Sequence, residues 1–487
     1  MKNINHLYLT FFIAFIIAGC TEDLTERPES LISPINFYQT NADYDAAITG
    51  IHRSYFVGSG GAWSVFDNYI AIYLCAGAED ANGKGDNRFN RLDVDVNSEQ
   101  IVTAWRNIYQ AINEANMIIS RLPETDKVNS DKKKEYEGQA RYLRALGYFY
   151  LVRWFGEIPL ITEENMDDVS NTGQAPVSET YAKIIEDLIF AKNNLPVSSV
   201  KTRPTKGAAT LMLASVYLNM AGWPLNDASK YALARDEAKA VMDMNIYSLE
   251  KNYEDLWKVS NKLTSKEIIF MFNGVIGAGS NFDRCVRPGE EGGWEDMFSE
   301  ARYFYAFPEG PRKKYTFHTD FFDAAHTNWI NSGVKQPFMW KFRDAGAKGD
   351  ATSLSKSGAA EGFFPIARYA EALLIYAEAD AMAAGKPTPE ALEALNQVRR
   401  RAGGYDPSVY PDLSSGMSLD TFIKEVINER FWEFGFELIR WFDLVRMEMV
   451  EEVNKSLYPH VSKKNYLMPK PPADVAMIKG LTQNTGY

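Results

Sequence analysis

The 487-residue chain carries 64 acidic against 52 basic side chains, a net charge of −12 at pH 7 that disfavours nucleic acid and anionic lipid as partners. With 46% hydrophobic and 13% aromatic residues it can bury a large core, which excludes a disordered chain. Three cysteines are too few for a disulfide framework.

The apolar run of residues 7–18 follows Lys2. It is far shorter than the roughly 20 residues that cross a bilayer, but it suits the core of an export signal. It ends in Ile17-Ala18-Gly19-Cys20, small residues ahead of a thiol, which is a lipobox. Residues 1–19 are therefore expected to be a lipoprotein signal peptide, and Cys20 the lipidated first residue of the mature chain. At about 0.8 kcal/mol per buried methylene, two or more acyl chains tether a protein without a membrane span. Cys75 and Cys285 remain to form one disulfide or none.

Helical periodicity then dominates, in stretches that arrive in pairs. Along residues 99–122, Ile101, Ala104, Trp105, Ile108, Ile112, Ala115 and Ile119 share a face until Pro123 stops it. Residues 132–155 repeat the pattern with Tyr136, Ala140, Leu143, Leu146 and Tyr150, and the two read as a hairpin. A second hairpin joins 178–196 to the small-residue stretch 205–222, and a helix follows over 229–244. Stacked pairs of this length predict a mostly α, tetratricopeptide-like scaffold. From 251 to 362 the helical period fades, glycine, proline and aromatic residues rise, and only "KEIIFMFNG" is strand-like. Helices resume at 363–385, 389–404 and 419–447. The division expected is an N-terminal region over 20–250 and a C-terminal region over 251–487, with 251–362 as a loop insertion.

HExxH, GxSxG and GxxxxGK[ST] are absent, and neither a cofactor nor a metal site is expected. His318 and His326 near Asp320 and Asp323 match no recurring ligand spacing. "DANGKGDNRFNR" mimics a calcium loop, yet Lys84 and Arg91 stand where oxygen ligands are required.

Eight segments in order behind the lipobox, among them "WRNIYQAINEANMIISRLP", "EGQARYLRALGYFYLVRWFGEIPLIT", "RPTKGAATLMLASVYLNMAG", "INERFWEFGFELIRWFDLVR" and the terminal "LTQNTGY", resemble the SusD/RagB family of surface lipoproteins of Bacteroidota. Glu22 and Asp23, just after the lipobox, resemble that family's surface-export signal. Thr485 departs from the family's terminal pattern, which has proline there. The resemblance implies four tetratricopeptide-like units carrying long loops. It further implies a lid-like partner of a SusC-like TonB-dependent transporter at the outer membrane, facing the cell exterior and delivering oligosaccharides or, in some members, peptides.

Glu429, Glu433 and Glu437 recur every four residues and form the best enzyme argument, a glycoside hydrolase pair. Arg430, Arg440 and Arg446 crowd them, and arginine partners spoil a general acid, so a structural network is expected instead. Arg368, Glu371, Glu378 and Arg399 are assigned to pairs between helices, and Trp105, Tyr136, Tyr148 and Tyr150 to the core. Loop aromatics have fewer structural reasons to exist, and sugar rings stack their C–H faces on indole and phenol. Two clusters qualify as glycan-binding candidates. One has Trp63 and Tyr69 as platforms with Asp80, Asn82 and Asn87 as hydroxyl partners; the other holds Trp294, Tyr303, Tyr305, Trp329 and Trp340. A non-catalytic glycan receptor is thus expected, with a glycoside hydrolase and a peptide-binding adaptor as the alternatives.

Overall fold

In the computed structural model, residues 37–56, 64–66, 70–84, 88–273, 282–323, 325–343 and 362–487 are described. The lipobox with Cys20, and the candidates Trp63, Tyr69 and Asn87, lie outside them. Ten longer helices form the scaffold: α1 Asn41–Phe56, α2 Glu99–Arg121, α3 Ser130–Phe155, α4 Val177–Asn194, α5 Lys206–Met220, α6 Lys230–Asp243, α7 Tyr369–Ala384, α8 Pro389–Ala402, α9 Leu419–Glu433 and α10 Ile439–Arg446.

Local chemistry sets several of their ends. Asn129 caps α3 by accepting the Lys132 N–H at 2.9 Å, and Thr388 caps α8 by accepting that of Ala391 at 3.0 Å, with Pro389 at the first helical position. Gly385 closes α7 at φ 69°. From α1 to α8, each helix packs on the next in the chain, giving four consecutive pairs, and α9 packs across α7 and α8. The expected hairpins are present as neighbours within this row. The row itself begins one helix earlier, at α1, whose face of Tyr44, Ile48, Ile51 and Tyr55 is buried. Gly147 of α3 lets α1 approach closely, because a Cβ there would collide with the Tyr55 hydroxyl.

Two expectations about helices are corrected. The stretch 363–385 is not one helix, since its start is a strand. Among the described residues, six strands pair two by two: β1 Ala81–Gly83 with β3 Met297–Ser299, β2 Ile268–Asn273 with β6 Phe363–Arg368, and β4 Phe317–His318 with β5 Phe338–Met339. The strand-like "KEIIFMFNG" needed a partner for its backbone, and β6 supplies it antiparallel, Phe272 opposite Phe364, where Pro365 would break a helix interior.

The stretch 419–447 is likewise interrupted. α9 stops at Glu433, and the chain turns through Phe436 and Leu438, both left-handed, before α10. Gly435 sits in this turn against the Tyr303 hydroxyl, where any Cβ would clash. The insertion carries its own small core of Phe298, Phe321, Trp329 and Phe338. Cys75 and Cys285 are both buried and are not joined in a disulfide.

Candidate functional site

The two aromatic clusters, some 200 residues apart in sequence, are joined by the β1–β3 ladder, with Asn82 opposite Phe298. The Asn82 amide donates to Glu300 Oε1 at 2.9 Å, and the Asn90 amide reaches the same oxygen at 3.2 Å. The Lys84 N–H donates to the Asp296 carbonyl at 3.0 Å, and its ammonium pairs with Glu295.

Asp80, just before β1, points inward rather than toward a ligand. Its Oδ2 accepts the Phe436 N–H at 2.7 Å, and its carbonyl accepts from Glu300 N–H at 3.0 Å and Ser299 Oγ at 3.1 Å. Burial pushes its carboxyl up to about 6, against the pull of the Phe436 N–H. Asp80 thus ties the insertion to the α9–α10 turn, because a short buried carboxylate beside orphan N–H groups is satisfied by backbone before any solute.

The aromatics of the insertion sort by exposure. Tyr303 is a core residue, 1% exposed, its hydroxyl donating to the Phe431 carbonyl at 2.8 Å and its ring 4.5 Å from that of Phe431. Trp329, also buried, lies against Phe304 at 5.6 Å and Tyr305 at 6.0 Å between ring centroids. Tyr305 is 69% exposed and Trp294 40% exposed. Trp340 is half-buried, with the His318 ring 5.0 Å away.

The structure thereby leaves two rings of the insertion open, Trp294 and, backed by Trp329, Tyr305. Arg284 stacks 4.3 Å from the Trp294 ring, and its carbonyl accepts the Trp294 N–H at 2.8 Å. Nothing local in the sequence marks Arg284 as a neighbour of Trp294, because the loop that brings it there has no period. His318 is committed to Glu291, and Asp320 and Asp323 accept from Asn328 and Thr327, so that cluster is a loop brace.

The glutamates of 429–437 form a buried network. Glu433 faces Arg312 at 2.9 Å, Arg368 at 2.6 Å and Arg401 at 2.5 Å. Glu429 meets Arg312 at 2.5 Å, while Glu437, past the end of α9, meets Arg368 at 2.7 Å and Lys341 at 3.0 Å. Burial alone would raise the Glu433 carboxyl, but Arg401, Arg368, Arg312 and Lys341 outweigh it and hold the group far below the carboxylate range. Such a group stays ionised and donates no proton. The arginines next in sequence are engaged elsewhere: Arg430 with Asp443 at 2.7 Å, Arg440 with Glu79 at 2.9 Å, and Arg446 with Glu378 at 2.5 Å. Arg399 reaches Glu429 at 3.7 Å, and Glu371 accepts from Ser215.

A profile described as the SusD family matches residues 296–487, and one described as "Starch-binding associating with outer membrane" matches 77–218. The chain belongs to the SusD/RagB family. SusD-like protein P2 of Formosa agariphila is 27% identical to this SusD/RagB chain, over 98% of it and 99% of the relative. A SusD superfamily protein of Bacteroides vulgatus superposes with a TM-score of 0.78 at 19% identity, covering 93% of this chain and 100% of that one. A structure named "Laminarin binding SusD-like protein" gives 0.76 at 23% identity, covering 92% and 100%. These likenesses agree with the mostly helical SusD-like fold described above. Among the described residues of this family member, no helix is long and apolar enough to cross a membrane.

Proposed function

We propose that this SusD/RagB protein is a non-catalytic surface receptor that captures an oligosaccharide and passes it to a SusC-like TonB-dependent transporter. The observation that carries the proposal is the exposure of two rings, Trp294 and Tyr305, on an insertion pinned to the scaffold by β1–β3 and Asp80. Exposed indole and phenol on a rigid base suit the apolar faces of sugar rings, and binding to a preordered surface avoids an ordering cost. A matching family profile described as starch-binding and a structural neighbour described as laminarin-binding support a glycan ligand. Trp294 and Tyr305 are proposed as the platforms, with Trp329 behind them, Trp340 and Asn82 at the margin, and Trp63 and Tyr69 as further contacts. Acylated Cys20 is proposed as the outer-membrane tether, with the receptor facing outward.

Affinity is expected to be micromolar or weaker, since a few stacking contacts to a flexible chain leave a small surplus. Calorimetric titration with laminarin and starch oligosaccharides tests the proposal. Heat of binding that Trp294→Ala and Tyr305→Ala each diminish supports it; no binding to any soluble glycan, with binding to peptides instead, sinks it. Co-purification with a barrel transporter tests the partner. Glu433, the acid of the hydrolase alternative, is surrounded by cations, which supports the non-catalytic reading.

A further inference from the structure

The C-terminal end of α3, the turn at Trp223, the end of α10 and the final segment of the chain enclose a cavity of 510 Å³. That is the size of a small-molecule site. It shares no lining residue with the aromatic surface described above.

Arg153 lies in its wall, with its guanidinium carbon 3.5 Å from the Phe149 ring centroid and 3.6 Å from that of Phe442. Its Nε donates to the Phe149 carbonyl at 2.8 Å. Among the described residues, its two terminal nitrogens have neither a hydrogen bond nor an ion pair. This sets it apart from Arg144, Arg312, Arg368, Arg401 and Arg446, each of which meets a carboxylate. A cation flanked by two phenyl rings and lacking an acid is costly unless something brings the opposite charge.

The rest of the wall extends that imbalance. Lys470, 1% exposed, donates only to neutral oxygens, Gln174 Oε1 at 3.1 Å and the Thr482 carbonyl at 2.9 Å. Burial pulls its ammonium down to about 8. Lys464 stands exposed on the same wall and, among the described residues, has no paired acid. The carboxylate opposing them is Glu157, which already accepts from Gln174 at 2.7 Å. A positive recess in a chain of net charge −12 is a local feature, not a consequence of composition. Trp223, Phe442 and Leu467 add apolar surface.

We propose that this cavity binds a carboxylate-bearing sugar, a uronate unit, with its carboxylate on Arg153 and Lys470 and its ring against Trp223. A guanidinium fork and a carboxylate match in a bidentate pair, and the indole takes the C–H face of the ring. The assignment rests on the glycan-receptor reading and adds to it a second site, selective for acidic sugars.

Calorimetry on the mature protein with trigalacturonate and, for comparison, neutral galactotriose tests it. Trigalacturonate should bind at least tenfold more tightly. Arg153→Gln should weaken it more than tenfold, Lys464→Ala two- to fivefold with no change in melting temperature, and Trp294→Ala not at all. Equal binding of the two trisaccharides, no binding of trigalacturonate, or full affinity in Arg153→Gln overturns the proposal. If Arg153→Gln does not fold, unchanged affinity in both Lys464→Ala and Trp223→Leu overturns it. Hexaglutamate binding as tightly as trigalacturonate overturns the sugar assignment in favour of an acidic peptide. Laminarin binding that depends on Trp294, without trigalacturonate binding, removes this site and leaves the receptor; trigalacturonate binding through Arg153, with no neutral glycan bound at Trp294, does the reverse.

Discussion

Arg368 Nη1 lies 2.6 Å from Glu433 Oε1, and both side chains are buried. The same arginine also reaches Glu267 at 2.9 Å and Glu437 at 2.7 Å, so it joins β6, α9 and the α9–α10 turn through one planar group. Removing Arg368 leaves the buried carboxylates Glu267, Glu433 and Glu437 one cation short. Arg368→Met is therefore expected to lower stability by about 3–5 kcal/mol in urea unfolding. Glu433→Gln should behave similarly, and a loss below about 1 kcal/mol in both would contradict the network.

At the aromatic surface, stability and binding should separate. Tyr305→Ala and Trp294→Ala remove exposed rings and are expected to weaken oligosaccharide binding by about 1–2 kcal/mol each while leaving the melting temperature in place. Tyr303→Phe removes a buried hydroxyl from the Phe431 carbonyl and should cost about 1 kcal/mol of stability with glycan affinity unchanged. Paired titrations and melts of the three variants provide the check; a Tyr303→Phe protein that melts normally but binds weakly would reverse the assignment.

Asp80 predicts a pH dependence. Its folded-state pKa of about 6 lies above the ordinary value of 3.8, chiefly through burial. Its contribution to stability is thus complete below pH 3.8 and lost as pH rises through 6. Asp80→Asn keeps an oxygen for the Phe436 N–H without the charge, so it should raise stability by roughly 1–3 kcal/mol at pH 7.5, with the gain vanishing near pH 4. His52 runs the other way: burial, aided by Arg203, lowers it from 6.5 to about 3, so its contribution falls as pH drops below 6.5. Thermal melts of wild type and Asp80→Asn from pH 4 to 8 measure the first effect by difference; a constant offset would disprove it.

Close packing of α1 on α3 rests on Gly147. Gly147→Ala forces a methyl into the Tyr55 hydroxyl and is expected to destabilise by about 1–3 kcal/mol. Tyr55→Phe, which makes room at the cost of its 2.8 Å bond to the Leu143 carbonyl, should recover part of that loss when combined with it. Urea unfolding of both single variants and the double variant measures the coupling, and strict additivity would place the contact elsewhere.

The helices from 99 to 244 and 369 to 402 were readable because a helix buries every third or fourth residue, and Ile101, Ile108, Ile112 and Leu143 repeat that spacing within a few turns. The break in 419–447 was not readable, since Phe434, Phe436 and Leu438 keep the stretch apolar throughout. At the break sits a contact from far away: the Tyr303 hydroxyl donates to the Phe431 carbonyl and leaves no room for a Cβ at Gly435. Equally, β6 looked helical until β2, about 90 residues earlier, claimed its backbone.

Sequence alone determined the helical scaffold, the family and the presence of an aromatic-rich insertion, because each is carried by spacing between near neighbours. Tertiary structure alone decided which aromatics stay in the open, which arginine answers which glutamate, and that Arg153 has no ion pair among the described residues. Those outcomes depend on side chains separated by tens to hundreds of positions along the chain. Burial and charge balance are properties of the assembled core, and no local pattern encodes them.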